Sequence, residues 1–132
     1  HRHNSEISQV FNKITNKEVK FIFTPHLTPM FRGILSTIYI SVRKNLNLTK
    51  IHKLLKEFYK DNKFINIKNP NTHISTNDVI NTNNCLISIS KSKYKDKFII
   101  LSAIDNLIKG GAGQAVQNMN LKFKFPKDAG LK

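Results

Sequence analysis

Apolar residues recur along this chain with two periods, which sort it into helices and strands. Ile7, Val10, Phe11 and Ile14 stand at i, i+3, i+4 and i+7, one face of an amphipathic helix that Asn4 or Ser5 is placed to cap. Ile51, Leu54, Leu55 and Phe58 repeat that spacing behind Thr49, a second capping residue, while Lys50, Lys53, Lys56 and Lys60 form the solvated side. A third helix is expected behind the last glycine-rich stretch, with Ala112, Ala115, Val116 and Met119 turned to the core, ending before Pro126.

The other segments alternate with a period of two. Residues 19–24 read as a strand with Val19, Phe21 and Phe23 on one side, ended by Pro25 and followed by a loop over 26–33. Residues 34–42 carry apolar or aromatic side chains on both faces, which predicts a central strand deep in a sheet. A short strand is expected at 64–67, then a polar loop over 69–84 with a brief strand, anchored by Ile74, Val79 and Ile80. Residues 85–90 and 97–104 are two apolar runs joined by the polar connection 91–96, the layout of a β-hairpin. Strands and helices interleave without the regular alternation of a doubly wound fold. The expected class is α+β: a mixed, largely antiparallel sheet with helices packed on one face.

At 132 residues the chain is long enough for one cored domain, here 1–132, and too short for two. No run is apolar for long enough to cross a bilayer, so no membrane partner is expected. The chain begins at His1 with the lead-in to a helix already under way, and is expected to be the C-terminal part of something longer. A single cysteine, Cys85, leaves no internal disulfide framework and no zinc site built on paired cysteines. It fits a reducing, cytoplasmic setting, and no metal site is expected. The formal charge of +14 would attract phosphates, but the lysines are spread along the chain among asparagines and isoleucines, as AT-rich coding also produces. A specific nucleic-acid partner is therefore not expected. A small basic nucleic-acid-binding module is the alternative from another class, and it would need aromatics interleaved with lysines on an exposed sheet face.

The most telling stretch is residues 105–120. Gly110, Gly111 and Gly113 let the backbone approach a bound group, and the helix behind them should offer unpaired N–H donors and a positive dipole end. Gln114 and Asn118 place side-chain amides on one face of that helix.

Three stretches together resemble one family: His1-Arg2-His3-Asn4-Ser5-Glu6-Ile7, residues 23–37 with Thr24-Pro25-His26-Leu27-Thr28-Pro29-Met30-Phe31-Arg32-Gly33, and residues 105–120. They resemble the C-terminal half of N-acetyl-gamma-glutamyl-phosphate reductase, the NADPH-dependent enzyme of arginine biosynthesis. The resemblance implies a domain of the glyceraldehyde-phosphate-dehydrogenase type, joined to an upstream Rossmann domain that binds NADP(H) and is absent here. It implies reduction of N-acetyl-glutamyl 5-phosphate to the 5-semialdehyde with loss of phosphate, through a cysteine thiolate. A lysine-pathway reductase acting on an aminoadipyl phosphate shares the fold and is the near alternative. The family also forms dimers or tetramers through this domain's sheet.

The family nucleophile lies in a Gly-Cys-Tyr/Phe context that does not occur in this sequence, and Cys85 reads as a small structural residue at a strand start. Residue by residue, the resemblance implies that His3 is the acid-base group, with His1 close behind; a histidine suits that task because it titrates near neutrality. The family usually has proline where Ser5 stands. Arg32, and second to it Arg2, would pair with a substrate carboxylate or phosphate, the alternative for either being a structural ion pair. Gly110, Gly111, Gly113, Gln114 and Asn118 would form this half's share of the cofactor site, with the last helix packing back onto the missing domain. The family usually has a glycine near Lys124, so the tail is expected to depart there.

Overall fold

In the computed structural model, which describes residues 3–42 and 45–132, the chain forms two compact units, one ending at Met30 and the other spanning Phe31–Lys132. The first unit holds α1 (His3–Thr15) and the extended segment after it. Because α1 already includes His3, Asn4 and Ser5 lie inside its first turn rather than capping it. Asn16, with φ of 51°, ends the helix and bonds its N–H to the Asn12 carbonyl. Residues 19–24 form no strand, against expectation. Their alternation is satisfied instead by rings folding back on α1, with Phe21 meeting Phe11 edge to face at 5.5 Å between centroids.

In the second unit, β1 (Ile34–Ser41), β2 (Ile65–Ile67), β3 (Cys85–Lys91) and β4 (Lys97–Ile104) form one mixed sheet in the order β1-β4-β3-β2. The two pairings of β4 are antiparallel and that of β2 with β3 is parallel, so the α+β class holds with the expected largely antiparallel sheet. The predicted hairpin is β3–β4. The register brings Ile40 opposite Phe98 and Ile89 opposite Ile100. Opposed residues share a face, and Leu48, Ile51 and Leu55 of α2 (Leu48–Tyr59) pack on it. Leu86 and Ala103 are opposed on the other face, under Ile74 and Val79 from the loop. Burying these two clusters is the main apolar stabilisation of the unit.

Several sequence expectations give way to local chemistry. Helix α2 is capped by Asn47, whose Oδ1 accepts the Lys50 N–H at 2.9 Å, so Thr49 lies within the helix. The loop 69–84 holds a single 3₁₀ turn, Thr76–Asp78, and no strand; Ser88 Oγ and the Thr72 carbonyl, 2.6 Å apart, tie the loop to β3. Strand β1 is an edge strand, not a central one: β4 is its only neighbour among the described residues, and Tyr39 is 76% exposed. Ile40 packs under α2, but Ile34, Leu35, Ile38 and Tyr39 are exposed, so much of the strand's apolar surface is uncovered among the described residues.

Helix α3 (Gly113–Lys122) buries Gly113 and Asn120, while Ala112, Ala115 and Met119 are exposed and Val116 is half-buried. Its inner side is held by hydrogen bonds: Asn120 Nδ2 donates to the carbonyls of Lys127 and Ala129, at 3.4 and 2.9 Å, and so anchors the tail. Apolar periodicity could not find a polar inner face. Among the described residues no helix is long and apolar enough to cross a membrane.

Candidate functional site

The junction between β4 and α3 is organised by Asp105. Its carboxylate is fully buried and accepts five bonds: Arg32 Nε at 3.0 Å and Nη2 at 2.7 Å, and the N–H groups of Asn81, Leu107 and Ile108 at 2.8, 2.8 and 3.1 Å. Burial alone raises the Asp105 pKa. The Arg32 guanidinium and the three N–H donors outweigh it and hold the carboxyl down at about 2.

Behind Asp105 the chain makes one π-helical turn, Ile108–Ala112, kinked at Gly111 with φ −147° and ψ −108°, and runs straight into α3. The N–H groups of Gly110, Ala112 and Gly113 bond to the carbonyls of Asp105, Leu107 and Ile108. The N–H groups of Gly110, Ala112 and Gly113 are thus engaged within the turn, and those of Leu107 and Ile108 are closed by Asp105 itself. This corrects the picture of an open, anion-seeking helix end. The glycines serve different ends. A Cβ on Gly113 would fall 2.6 Å from Asn83 Oδ1 and 2.5 Å from Ile108 Cγ2, so this buried glycine answers internal packing. Gly110 and Gly111 are exposed.

What the junction presents is a set of side-chain amides. Gln114 Nε2 donates to Asn118 Oδ1 at 3.0 Å along the helix face. Gln117 Oε1 accepts from Asn83 Nδ2 at 2.9 Å and from Lys109 Nζ at 2.8 Å. Lys109 is half-buried over the Phe64 ring; burial holds its pKa below the ordinary lysine value, and Cys85 opposes the shift. Sequence reasoning missed Asn83, Asp105, Lys109 and Gln117. Gln117 continues the amide row of Gln114 and Asn118 and was there to be found; Asn83 lies far away in the chain and gave no signal.

The remaining candidates are placed as follows. His3 is the first residue of α1, its ring tilted toward Phe23 at 6.3 Å, and His26 Nδ1 lies 3.1 Å from the Thr24 carbonyl. His1 and Arg2 lie outside the described residues. Arg32 has the structural ion pair with Asp105, its fork closed on that carboxylate. Cys85 opens β3, half-buried, with Sγ 3.5 Å from Ser102 Oγ. Two shallow hollows, of about 290 and 280 Å³, lie between α2 and β2 and at the β3–β4 turn, and neither includes a predicted site residue. The second gathers Lys91, Lys93, Lys95 and Lys97 about Tyr94, a local concentration that an even spread of lysines had hidden. Among the described residues no group of three or more His, Cys, Asp or Glu side chains forms a metal-binding cluster.

A family model described as "Semialdehyde dehydrogenase, dimerisation domain" matches residues 1–106, and the chain belongs to that family. Its relatives narrow the class. The chain is 47% identical over 131 residues to the N-acetyl-gamma-glutamyl-phosphate reductase of Clostridium botulinum (strain Alaska E43 / Type E3), covering 99% of this chain and 38% of the relative. It is 50% identical over 131 residues to the enzyme of that name from Vesicomyosocius okutanii, covering 99% and 37%. It is 41% identical over 132 residues to that of Staphylococcus aureus (strain MRSA252), covering 100% and 38%. The chain thus spans a little over a third of the length of the curated relatives it matches.

Proposed function

We propose that this chain is the C-terminal part of an N-acetyl-gamma-glutamyl-phosphate reductase, which reduces N-acetyl-glutamyl 5-phosphate to the 5-semialdehyde with release of phosphate, in arginine biosynthesis. The observation that carries the reading is 40–50% identity, along the full chain, to enzymes of that name. The cytoplasm, a reducing compartment, suits the free thiol of Cys85.

In this reading the catalytic cysteine and most of the cofactor site belong to an upstream domain, and NADPH supplies the hydride. The β4–α3 junction fits the nicotinamide end of such a cofactor. Its exposed glycines leave room for close approach, and Gln114 and Asn118 offer amides complementary to a carboxamide. His3 acts as general acid and base beside the missing thiolate, assisted by His1. Arg32 Nε and Nη2 hold Asp105, so its share in substrate binding falls to Nη1, with Arg2 as the second cation. The exposed apolar residues of β1, Tyr39 and Ile38 among them, support assembly with a second copy through this strand, in keeping with a family described as a dimerisation domain.

The test is the full-length protein carrying this chain, assayed for NADP-dependent, phosphate-dependent oxidation of N-acetyl-glutamate semialdehyde. Activity is expected, with a fall in kcat of about a hundredfold or more for His3→Ala. No turnover by the intact protein would overturn the assignment; an unaffected His3→Ala would remove the histidine's role.

A further inference from the structure

The amide network at the start of α3 has a fixed polarity, and the lysine sets it. Lys109 Nζ carries only donors, so the atom of Gln117 it meets at 2.8 Å is the amide oxygen. Asn83, 2.9 Å from that same oxygen, must then face it with its nitrogen. The consequence is visible on the far side of Asn83: its Oδ1 is buried with no hydrogen-bond partner, pressed against Gly113. An orphaned buried acceptor is unfavourable by about 1–3 kcal/mol. Such an orphan calls for an explanation, and the other end of the same amide supplies one.

That other end holds Gln117. With Oε1 drawn inward by two donors, Nε2 points the opposite way; it has no partner among the described residues and is not among the buried unpartnered atoms. Gln114 and Gln117 are neighbours at i and i+3, so this N–H2 borders the Gln114–Asn118 pair. We propose that Gln117 donates a hydrogen bond to the carbonyl oxygen of the cofactor's carboxamide, and that Lys109 and Asn83 are positioning residues that lock its amide for that contact. The inference rests on the reductase reading given above. It adds a residue and a direction: a donor on α3, for an acceptor on the ligand.

Gln117→Glu separates the two halves of the claim. A carboxylate still accepts from Lys109 and Asn83, so the fold is retained, but the outward donor is gone. In the full-length protein, binding of NADPH and of the fragment adenosine 2′,5′-bisphosphate, which lacks the nicotinamide, is measured by calorimetry alongside the melting temperature. Gln117→Glu is expected to weaken NADPH about tenfold, leave the fragment's affinity unchanged and leave melting unchanged or raised. Lys109→Met should weaken NADPH similarly, and the double variant no more than Gln117→Glu alone. Unchanged NADPH affinity in Gln117→Glu overturns the proposal while the reductase reading stands, as does an equal loss for NADPH and fragment. If the unaltered protein binds neither, both fall.

Discussion

Arg32 and Asp105 close a forked ion pair across 73 positions of sequence, with Nε 3.0 Å from Oδ1 and Nη2 2.7 Å from Oδ2. Arg32 stands just before β1 and Asp105 just after β4, and the pairing of Ile34 with Ile104 between them fixes their approach. The same carboxylate accepts the N–H groups of Leu107 and Ile108, so one buried charge joins the β1 lead-in to the start of the glycine turn. Two of the three sequence stretches that suggested a reductase thus meet at one carboxylate.

Asp105→Asn should therefore destabilise the protein by about 3 kcal/mol, because it leaves the Arg32 charge without its partner. The pH dependence has a definite sign. The folded-state pKa of about 2 lies below the ordinary aspartate value of 3.8, so the carboxylate's contribution is fully present above 3.8 and lost as pH falls through about 2. Urea midpoints measured from pH 5 down to pH 2 should fall more steeply in the parent than in Asp105→Asn. Parallel curves would show that this carboxylate is not so held.

Gly33, the residue after Arg32, has φ of +114°, and a Cβ there would lie 2.7 Å from Thr76 Cβ and Cγ2. Gly33→Ala combines a conformation that L residues avoid with overpacking against a buried threonine, together about 2–4 kcal/mol. A urea midpoint shift with unchanged slope would register it. A loss under about 1 kcal/mol would mean that Thr76 gives way freely.

The sequence disclosed the elements better than their surroundings. The β3–β4 hairpin and α2 follow from apolar spacing, because apolar cover decides their positions. Strand β1 shows the limit: a two-sided apolar pattern reads alike whether its cover lies inside the chain or elsewhere. Helix α3 shows another, since Asn120 and Gly113 form its inner side through hydrogen bonds and close approach, which periodicity cannot register. At the site, Gly110, Gln114 and Asn118 were legible as a local motif. The buried partners Asn83 and Asp105 act through tertiary contacts, which spacing along a single chain does not reveal.

Helix α3 ends with Lys124 at φ +59°, Phe125 N–H bonding to the Asn120 carbonyl at 2.8 Å, a closing turn in which glycine is the usual occupant of the left-handed position. Lys124 therefore takes, with a Cβ, a backbone conformation that a glycine would take without one. Lys124→Gly should stabilise the protein by about 1 kcal/mol, seen as a higher urea midpoint. Lys124→Ala should leave it near the parent value, because alanine keeps the Cβ. Equal effects of the two would point to the lysine's charge.

The glycines of the turn should respond differently to a methyl group, and the difference separates packing from ligand approach. At Gly113 a Cβ meets Asn83 Oδ1 at 2.6 Å and the Ile108 carbonyl oxygen at 2.8 Å, so Gly113→Ala must push Asn83 away from Gln117 or shift the turn. A loss of about 2 kcal/mol in stability is expected and, on the reductase reading proposed above, a fall in the NADPH affinity of the full-length protein as well. At Gly111 the nearest atom is the Asn106 carbonyl oxygen at 3.5 Å, ordinary contact, so Gly111→Ala should melt within about 0.5 kcal/mol of the parent. If the exposed Gly111 backbone faces the cofactor, that variant still loses NADPH affinity, because its methyl occupies the approach while the turn stays intact. Gly111→Ala with unchanged stability and unchanged affinity would confine the contribution of the turn to Gly110 and the amides of α3.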